Sequence, residues 1–494
     1  MIADLKPYPA MKDSGMPWLG HVPDQWAVLR LRNAAEMRVS NVDKHTKDDE
    51  RPVRLCNYVD VYKNDRIRER MAFMRATATS EEIERFRLET GDVLITKDSE
   101  TWNDIGVPAL VEERADDLIC GYHLALLRPF HDRLSGDYLF RALQSTAVSY
   151  QFHVEANGVT RYGLSHAAIK SIWLPLPPLP EQAAIVRYLD HADRRIRRCI
   201  RTKQKLIKLL EEQKQAIIHG AVTRGLDPNV RLKPSGVKWL GDVPEHWEVR
   251  RLKTLVRRID QGVSPQADNY LADDGSWGVL KAGCVNRGVF REREHKRLPT
   301  GFAFDASLSV AIGDTLVSRA SGSPHLVGSV GRVHSLSYHL ILSDKTFRPA
   351  FDDHVDADFM VLAMNGRYYR QQVEQAISGA EGLANNLPLS SLRAFVFAVP
   401  PAAEQRAITK HVSLLTTGFS ATIERAEREV ALLREYRTRL IADVVTGKLD
   451  VREAAARLPD EDDESEPRDE TVAMTDTEEG IANDPDDDAE QAEA

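Results

Sequence analysis

Apolar positions in this chain follow two rhythms that alternate along its length. From Ile185, steps of four and three reach Leu189, Ala192, Ile196, Cys199, Lys203, Leu206, Leu210, Gln213 and Ile217. Eight of those ten are apolar or cysteine. The same steps from Ile408 reach Val412, Leu415, Phe419, Thr422, Ala426, Glu429, Leu433, Tyr436 and Leu440, again with eight of ten apolar. Charge is dense around both seams, in RRIRRCIRTKQK from Arg194 and ERAEREVALLREYRTR from Glu424. This pattern predicts two long helices pairing through a heptad face, each of 33 residues and roughly 50 Å. Proline pairs at 177–178 and 400–401 bar helix upstream, and Pro180 suits a first helical turn.

Elsewhere the rhythm shortens to strand-length runs bounded by turn residues: DVLIT (92–96), LALLRP (124–129), TLVSR (315–319) and HLILS (339–343). IWLPLP (172–177) and FVFAVP (395–400) read as strands leading into the long helices. DYLFRALQS (137–145) and DFMVLAMNGRYYRQQVEQA (358–376) read as helices packed on sheets. The expected fold class is α+β: two strand-rich, mixed α/β regions separated by two long helices.

The two regions sit in a frame that is written twice. WLGHVPDQW (18–26) returns as WLGDVPEHW (239–247), and eleven of eighteen positions are identical between 14–31 and 235–252. Pro178, Glu181, Gln182 and Ile185 match Pro401, Glu404, Gln405 and Ile408; Val222, Thr223, Leu226 and Asp227 match Val445, Thr446, Leu449 and Asp450. The intervening stretches barely resemble each other, apart from GDVLITK at Gly91 against GDTLVSR at Gly313. Two copies of one apolar helix face pair most simply about a pseudo-two-fold axis.

Charge sharpens this picture. The net of −9 conceals 17 acidic residues against one basic, Arg468, in residues 459–494. That tail, at −16 and without an aromatic residue, is expected to be disordered, and the remainder carries +7. A mildly basic body permits a polyanionic partner. The four cysteines form no CxxC pair, which argues against a disulfide scaffold or a cysteine zinc site and for a reducing cytoplasm. There is no apolar run of about 18 residues and no signal-peptide layout at the N-terminus.

Catalytic signatures are missing. No GxxxxGK[ST] loop, GxGxxG turn, HExxH pair or GxSxG elbow occurs. The ExK triplet at Glu212–Lys214 falls inside a predicted helix as a solvated face, and His123 and His339 each follow a tyrosine in a predicted strand. No catalytic residue and no metal site is assigned.

WLGxxPxxW before each insert, PPLPEQxxIxxYLD and PPxxEQxxI after them, and the closing VTRGLD and VTGKLD resemble the specificity subunit of type I restriction-modification systems. The resemblance spans nearly all of 14–451, with Ala402 and Ala403 departing from Leu179 and Pro180. It implies a frame segment at 1–29, a target recognition domain at 30–177, a central frame with helix and linker at 178–249, and a second recognition domain at 250–399. A distal frame at 400–458 and the acidic tail from 459 complete the chain. It further implies an antiparallel coiled coil that spaces the domains and docks, most simply, two modification (methyltransferase) subunits. ATP-driven restriction subunits then join, and double-stranded DNA with a split site is the target. S-adenosylmethionine, ATP and Mg would belong to the partner subunits, none to this chain. Seam residues on this reading are Ile185, Leu189, Ile196, Leu206, Leu210, Ile217, Ile408, Val412, Leu415, Phe419, Leu433 and Leu440.

Direct readout of base edges uses Arg or Lys on guanine and Asn or Gln on adenine. Candidates are Lys97 and Asn103 after the GDVLIT strand, Arg161 and Tyr162 in GVTRYGL, Arg319 and Ser321 in SRASGS, and Asn385 and Asn386 in EGLANNLPLS. A rival reading remains open: a coiled-coil scaffold whose inserts bind proteins, although LPLPPLP reads better as a stiff link from strand to helix than as a polyproline ligand, because VPP recurs at the same place in the second half.

Overall fold

The computed structural model describes residues 5–286, 288–377 and 385–459; the acidic tail beyond Pro459 lies outside them. The chain forms two compact units, one from Met1–Lys203 and the chain from Arg428, the other from Gln204–Glu427. Each mixes short strands with helices, and each takes part of two long helices, α1 (Leu179–Arg224) and α2 (Ala402–Val445).

In the first unit a five-stranded sheet runs in the order Ala35–Val39, Leu124–Pro129, Val93–Thr96, Pro108–Val111 and Arg66–Ile67. All its pairings are antiparallel except the last. Its central strand VLIT is apolar throughout because both faces are covered. Val93 and Ile95 join the core with the helix Gly136–Gln144, while Leu94 joins a second core with the sheet of Arg51–Cys56, Met74–Ala78 and Leu118–Cys120. The second unit has a six-stranded sheet, in the order Val256–Gln261, Thr346–Phe351, Thr315–Ser318, Val330–Arg332, Gly288–Phe290 and Val285–Asn286. Trp277–Leu280, His295–Arg297 and His339–Ile341 form its smaller sheet.

The segment expected as one helix over 358–376 is two, Ala357–Ala363 and Arg367–Ala376. Asn365 turns its amide onto the carbonyls of Val330 and Val361, and Gly366 caps the second helix, so the Asn-Gly pair interrupts the apolar period.

Both long helices begin directly after their proline pairs and end at the glycines of the repeated VTRG and VTG blocks. They run 46 and 44 residues, longer than the periodic span. Those glycines are left-handed caps pressed onto buried tryptophans. A Cβ on Gly447 (φ +72°) would meet Pro23 at 2.3 Å and Trp26 at 3.2 Å; one on Gly225 (φ +75°) would meet Glu404 at 3.0 Å and Trp247 at 3.3 Å. The closing blocks recur because each seals the WLGxxPxxW block of its own unit.

The PEQ blocks join helix to insert. Gln182 accepts from Ser135 N (2.9 Å) and donates to the carbonyls of Arg133 (2.7 Å) and Pro177 (2.9 Å). Gln405 repeats this on Asp356 N (2.7 Å) and the carbonyls of His354 (3.2 Å) and Pro400 (2.8 Å). Glu181, in contrast, has no conserved role in the second copy. It accepts from Tyr8 and from Trp26 Nε1 (3.0 Å), whereas Glu404 takes His246 (2.8 Å) and Trp247 Nε1 is buried without a partner.

The seam needs one correction. Ile185, Leu189 and Ile196 are buried together with Leu440, Ile441 and Val444 in the first unit, and Ile218 with Ile408 and Val412 in the second. Leu433 packs at the edge of the first core, and Leu210, Ile217 and Phe419 are half-buried. Leu206 and Leu415, placed in the seam by a strict heptad, are 43% and 44% exposed, and Cys199 is exposed as well. The inward positions are Ile200, Ile207 and Thr416 instead. A straight helix has 3.6 residues per turn, so a 3.5-residue count drifts by about 20° per heptad and slips one position within two or three heptads, the distance of Cys199 and Leu206 from Ile185.

Around this seam the first unit carries an ion network. Arg141 (3% exposed) donates through Nε to Asp190 (3.0 Å) and lies 3.5 Å from Asp193. Arg66 reaches Asp190 and Asp137 (both 3.4 Å), while Arg197 and Arg437 hold Asp193 and Asp65. Burial alone raises the Asp193 carboxyl, but the Arg437 hydrogen bond and the charges of Arg437, Arg197 and Arg141 outweigh it and bring it down to about 2. The corresponding positions in the second unit are Leu362, Thr416 and Ser420, and the cation near them is Lys214, which bonds Ser420 Oγ at 2.9 Å.

Candidate nucleic-acid interface

Each unit presents one loop cluster at the end of its central strand, and both clusters use the same main-chain bonds. After Val93–Thr96, Lys97 N donates to His123 O (3.1 Å), and Lys97 O accepts from Leu164 N (2.8 Å). After Thr315–Ser318, Arg319 N donates to Lys345 O (2.7 Å), and Arg319 O accepts from Leu387 N (2.8 Å). Asp98–Ser99 then pairs with Tyr162–Gly163, and Ala320–Ser321 with Asn385–Asn386. The candidates Lys97 and Tyr162, with Arg161 beside them, therefore converge in the first unit; Arg319, Ser321, Asn385 and Asn386 converge in the second. Residues 381–384 of the EGLANN motif lie outside the described residues.

The side chains at these shared positions differ. In the first unit Asp98 is the organising group: Oδ2 meets His123 Nδ1 at 2.8 Å and Lys97 Nζ at 3.3 Å. Burial pushes the Asp98 carboxyl up, but the His123 hydrogen bond and the Lys97 charge outweigh that, and it is lowered overall. Lys97 Nζ also sits 5.2 Å from the Tyr122 ring centroid, so its ammonium is committed inside the cluster. His123, expected in a strand, occupies a turn at φ +63°, and is the one non-glycine with positive φ among the described residues. Asn103 and Arg161 are exposed.

Sequence reasoning missed an aromatic group beside this loop. Tyr58 and Tyr62 stack at 5.5 Å, and the Tyr62 hydroxyl donates to Asp104 (2.5 Å), a carboxylate that raises the phenol. Trp102 and Tyr122 stand half exposed nearby in sequence. The i, i+4 tyrosines of YVDVYK were the available signal; their approach to Asp104, 42 residues away, had none.

In the second unit Arg319 Nη1 donates to Asp344 O (2.9 Å) and the guanidinium lies 5.9 Å from the Phe347 ring centroid. Ser321 Oγ accepts from Ser323 N (3.2 Å). Asn385 is buried and Asn386 half-buried. Arg319 and Asn385 thus brace the loop, while Ser321 and Asn386 are its partly exposed polar groups.

Among the described residues no group of His, Cys, Asp and Glu is placed to hold a metal ion, and no helix is long and apolar enough to cross a membrane.

Residues 52–211 match a family profile described as the type I restriction modification DNA specificity domain. A Methanocaldococcus jannaschii chain assigned as the MjaX specificity subunit of a type I restriction enzyme is 23% identical over 439 residues, covering 88% of this chain and 96% of its own. The EcoEI specificity subunit of Escherichia coli is 31% identical over 166 residues, 33% of this chain and 28% of its own. A solved structure, titled for complex assembly and conformational transition of the type I R-M system, shares the fold at a TM-score of 0.59 and 17% identity, covering 87% of this chain and 99% of that one. The chain is thus similar to specificity subunits of type I restriction enzymes over most of its length, and to their DNA specificity domain over residues 52–211.

Proposed function

We propose that each unit reads one half of a split site in double-stranded DNA through its loop cluster. In this reading the two recognition domains are 30–177 and 250–399. Their long helices pair as an antiparallel coiled coil that spaces the domains and docks two modification subunits, with restriction subunits joining the complex in the cytoplasm. S-adenosylmethionine, ATP and Mg act in those partners. The observation that carries the reading is the pair of loop clusters. Identical main-chain bonds around Lys97 and Arg319 hold different side chains: Asp98, Tyr122, His123 and Tyr162 in one, Ala320, Asp344, Lys345 and Asn385 in the other. One scaffold with two unlike polar faces is what reading two different half-sites requires, because sequence is read by side chains on base edges while backbone contacts position. Two linked readers multiply selectivity through effective concentration.

The test replaces residues 30–177 with the matching region of another specificity subunit and sequences the methylated motif of the host. One half of the motif should change and the other persist. A motif altered in both halves, or in neither, overturns the reading.

A further inference from the structure

We propose that Val159 is a reading residue of the first unit, whose side chain packs on the 5-methyl group of a thymine in the DNA major groove. The inference rests on the reading that the loop clusters contact DNA, and it names one contact within that reading. Val159 sits at the tip of a hairpin. Asn157–Gly158 pairs with Tyr162–Gly163, and that strand pairs with Asp98–Ser99, so a three-stranded sheet rooted in the loop cluster carries the tip. Asn157 Nδ2 donates to Glu155 O (2.7 Å), which ties the hairpin to the helix Thr146–Glu155. A Cβ on Gly158 would fall 1.9 Å from the Arg161 carbonyl oxygen, so only glycine closes so tight a tip. Val159, Thr160 and Arg161 form the tip, and all three are exposed.

Its own fold gives Val159 no use. The side chain is 94% exposed, more than any other large hydrophobic one among the described residues. Turn tips favour Gly, Asn, Asp and Ser, and a β-branched residue gains nothing there. The neighbours of Val159 point to what covers it. From Asn157 to Lys170 the chain holds no acidic residue, while Arg161 and Lys170 are basic and exposed. Such a hairpin can enter a channel walled by phosphates. The major groove of B-DNA is about 12 Å wide, admits a two-stranded ribbon and is about 8.5 Å deep. The tip extends two residues, about 7 Å, past the rung that joins Tyr162 to Ser99. On the floor of that groove the apolar group presented by base pairs is the thymine methyl. An isopropyl side chain covers it, and Thr160 and Arg161 are left for the polar edges beside it.

The experiment uses the full chain with the subunits that copurify from its host, and the motif found by methylome sequencing. The half of the motif that changes on exchange of residues 30–177 belongs to the first unit. In duplexes carrying the motif, each thymine of that half, on either strand, is replaced singly by uracil, which removes only the 5-methyl group. At one position the wild-type affinity should fall about fourfold, the equivalent of about 0.8 kcal/mol for one buried methyl group. Val159→Ser should bind the thymine and uracil duplexes alike, and Val159→Ile should restore the difference. Val159 is exposed, so neither substitution threatens the fold. Three results overturn the inference while sequence-specific binding stands: no uracil-sensitive position, a sensitivity that persists in Val159→Ser, or a half-site without an A·T pair. A wild-type chain that binds its motif no better than a random duplex overturns the underlying reading and this inference together.

Discussion

The two places where α1 and α2 meet a strand-rich insert are built on the same frame and fastened by different forces. In the first unit Arg141, Asp190, Asp193, Arg197 and Arg437 link the helix Gly136–Gln144 to both long helices through charge. In the second, Leu362, Ser413, Thr416, Ser420 and Lys214 stand at those positions, and one neutral acceptor takes the lysine. The same contrast recurs at the tryptophans: Trp26 donates to Glu181, whereas Trp247 donates to nothing. Ion pairs fix geometry because each guanidinium fork accepts few orientations; apolar contacts tolerate small shifts. The first insert is therefore expected to be the more rigidly oriented of the two, with a rigidity that depends on pH and salt.

The strongest way to break this contrast is Arg141→Ala. It leaves Asp190 and Asp193 short of a buried partner, and breaking a buried pair costs about 3–5 kcal/mol. Hydrogen exchange should show the helix Gly136–Gln144 destabilised by that amount, while Leu362→Ala loosens Ala357–Ala363 by only about 2 kcal/mol. Equal losses would show that the ions orient nothing.

Acid gives a second, smaller contrast. The Asp193 carboxyl is depressed to about 2, so its contribution is complete above the unfolded value near 4 and disappears as pH falls toward 2. The first unit should lose on the order of 2 kcal/mol between about pH 5 and 2 beyond any loss in the second. Amide exchange of the two units at pH 5 and pH 3 measures the difference, and parallel losses would contradict it.

The smallest contrast lies in the tryptophans. Trp26→Phe removes a donor from the Glu181 carboxylate and should cost about 1.5–3 kcal/mol on top of the lost packing. Trp247→Phe removes a buried donor that has no acceptor, so it should lose the packing alone and fall below Trp26→Phe by that margin. Denaturant midpoints of the two variants compare them.

What the sequence disclosed and what it hid follow from range. The repeated Trp, Glu-Gln and Gly positions were visible because they recur, and the structure gives each a contact. The seam was legible where apolar residues dominate, at Ile185–Ile196, and misread at Leu415 and at Leu206, where for the latter a rigid heptad count outran the helix period. The loops after Thr96 and Ser318 were marked by their strands, yet which side chains remain exposed there was not. Lys97 and Arg319 look like readers in sequence, but Asp98, Tyr122 and the Asp344 carbonyl already engage them. Contacts such as Asp98 with His123 join residues 25 positions apart with no periodic signal between them.

Gln182 and Gln405 carry an implication for how such chains diversify. Among the described residues every hydrogen-bond partner of their side-chain amides is a main-chain atom: the amide of Ser135 or Asp356, and the carbonyls of Arg133, Pro177, His354 and Pro400. Such a latch is blind to side chains. Any insert that offers one amide and two carbonyls at those turns engages it, whatever residues it carries elsewhere. Exchange of whole inserts between related genes then requires no matched change in the latch, and the surface of each insert is free to evolve at a rate that the helices do not share.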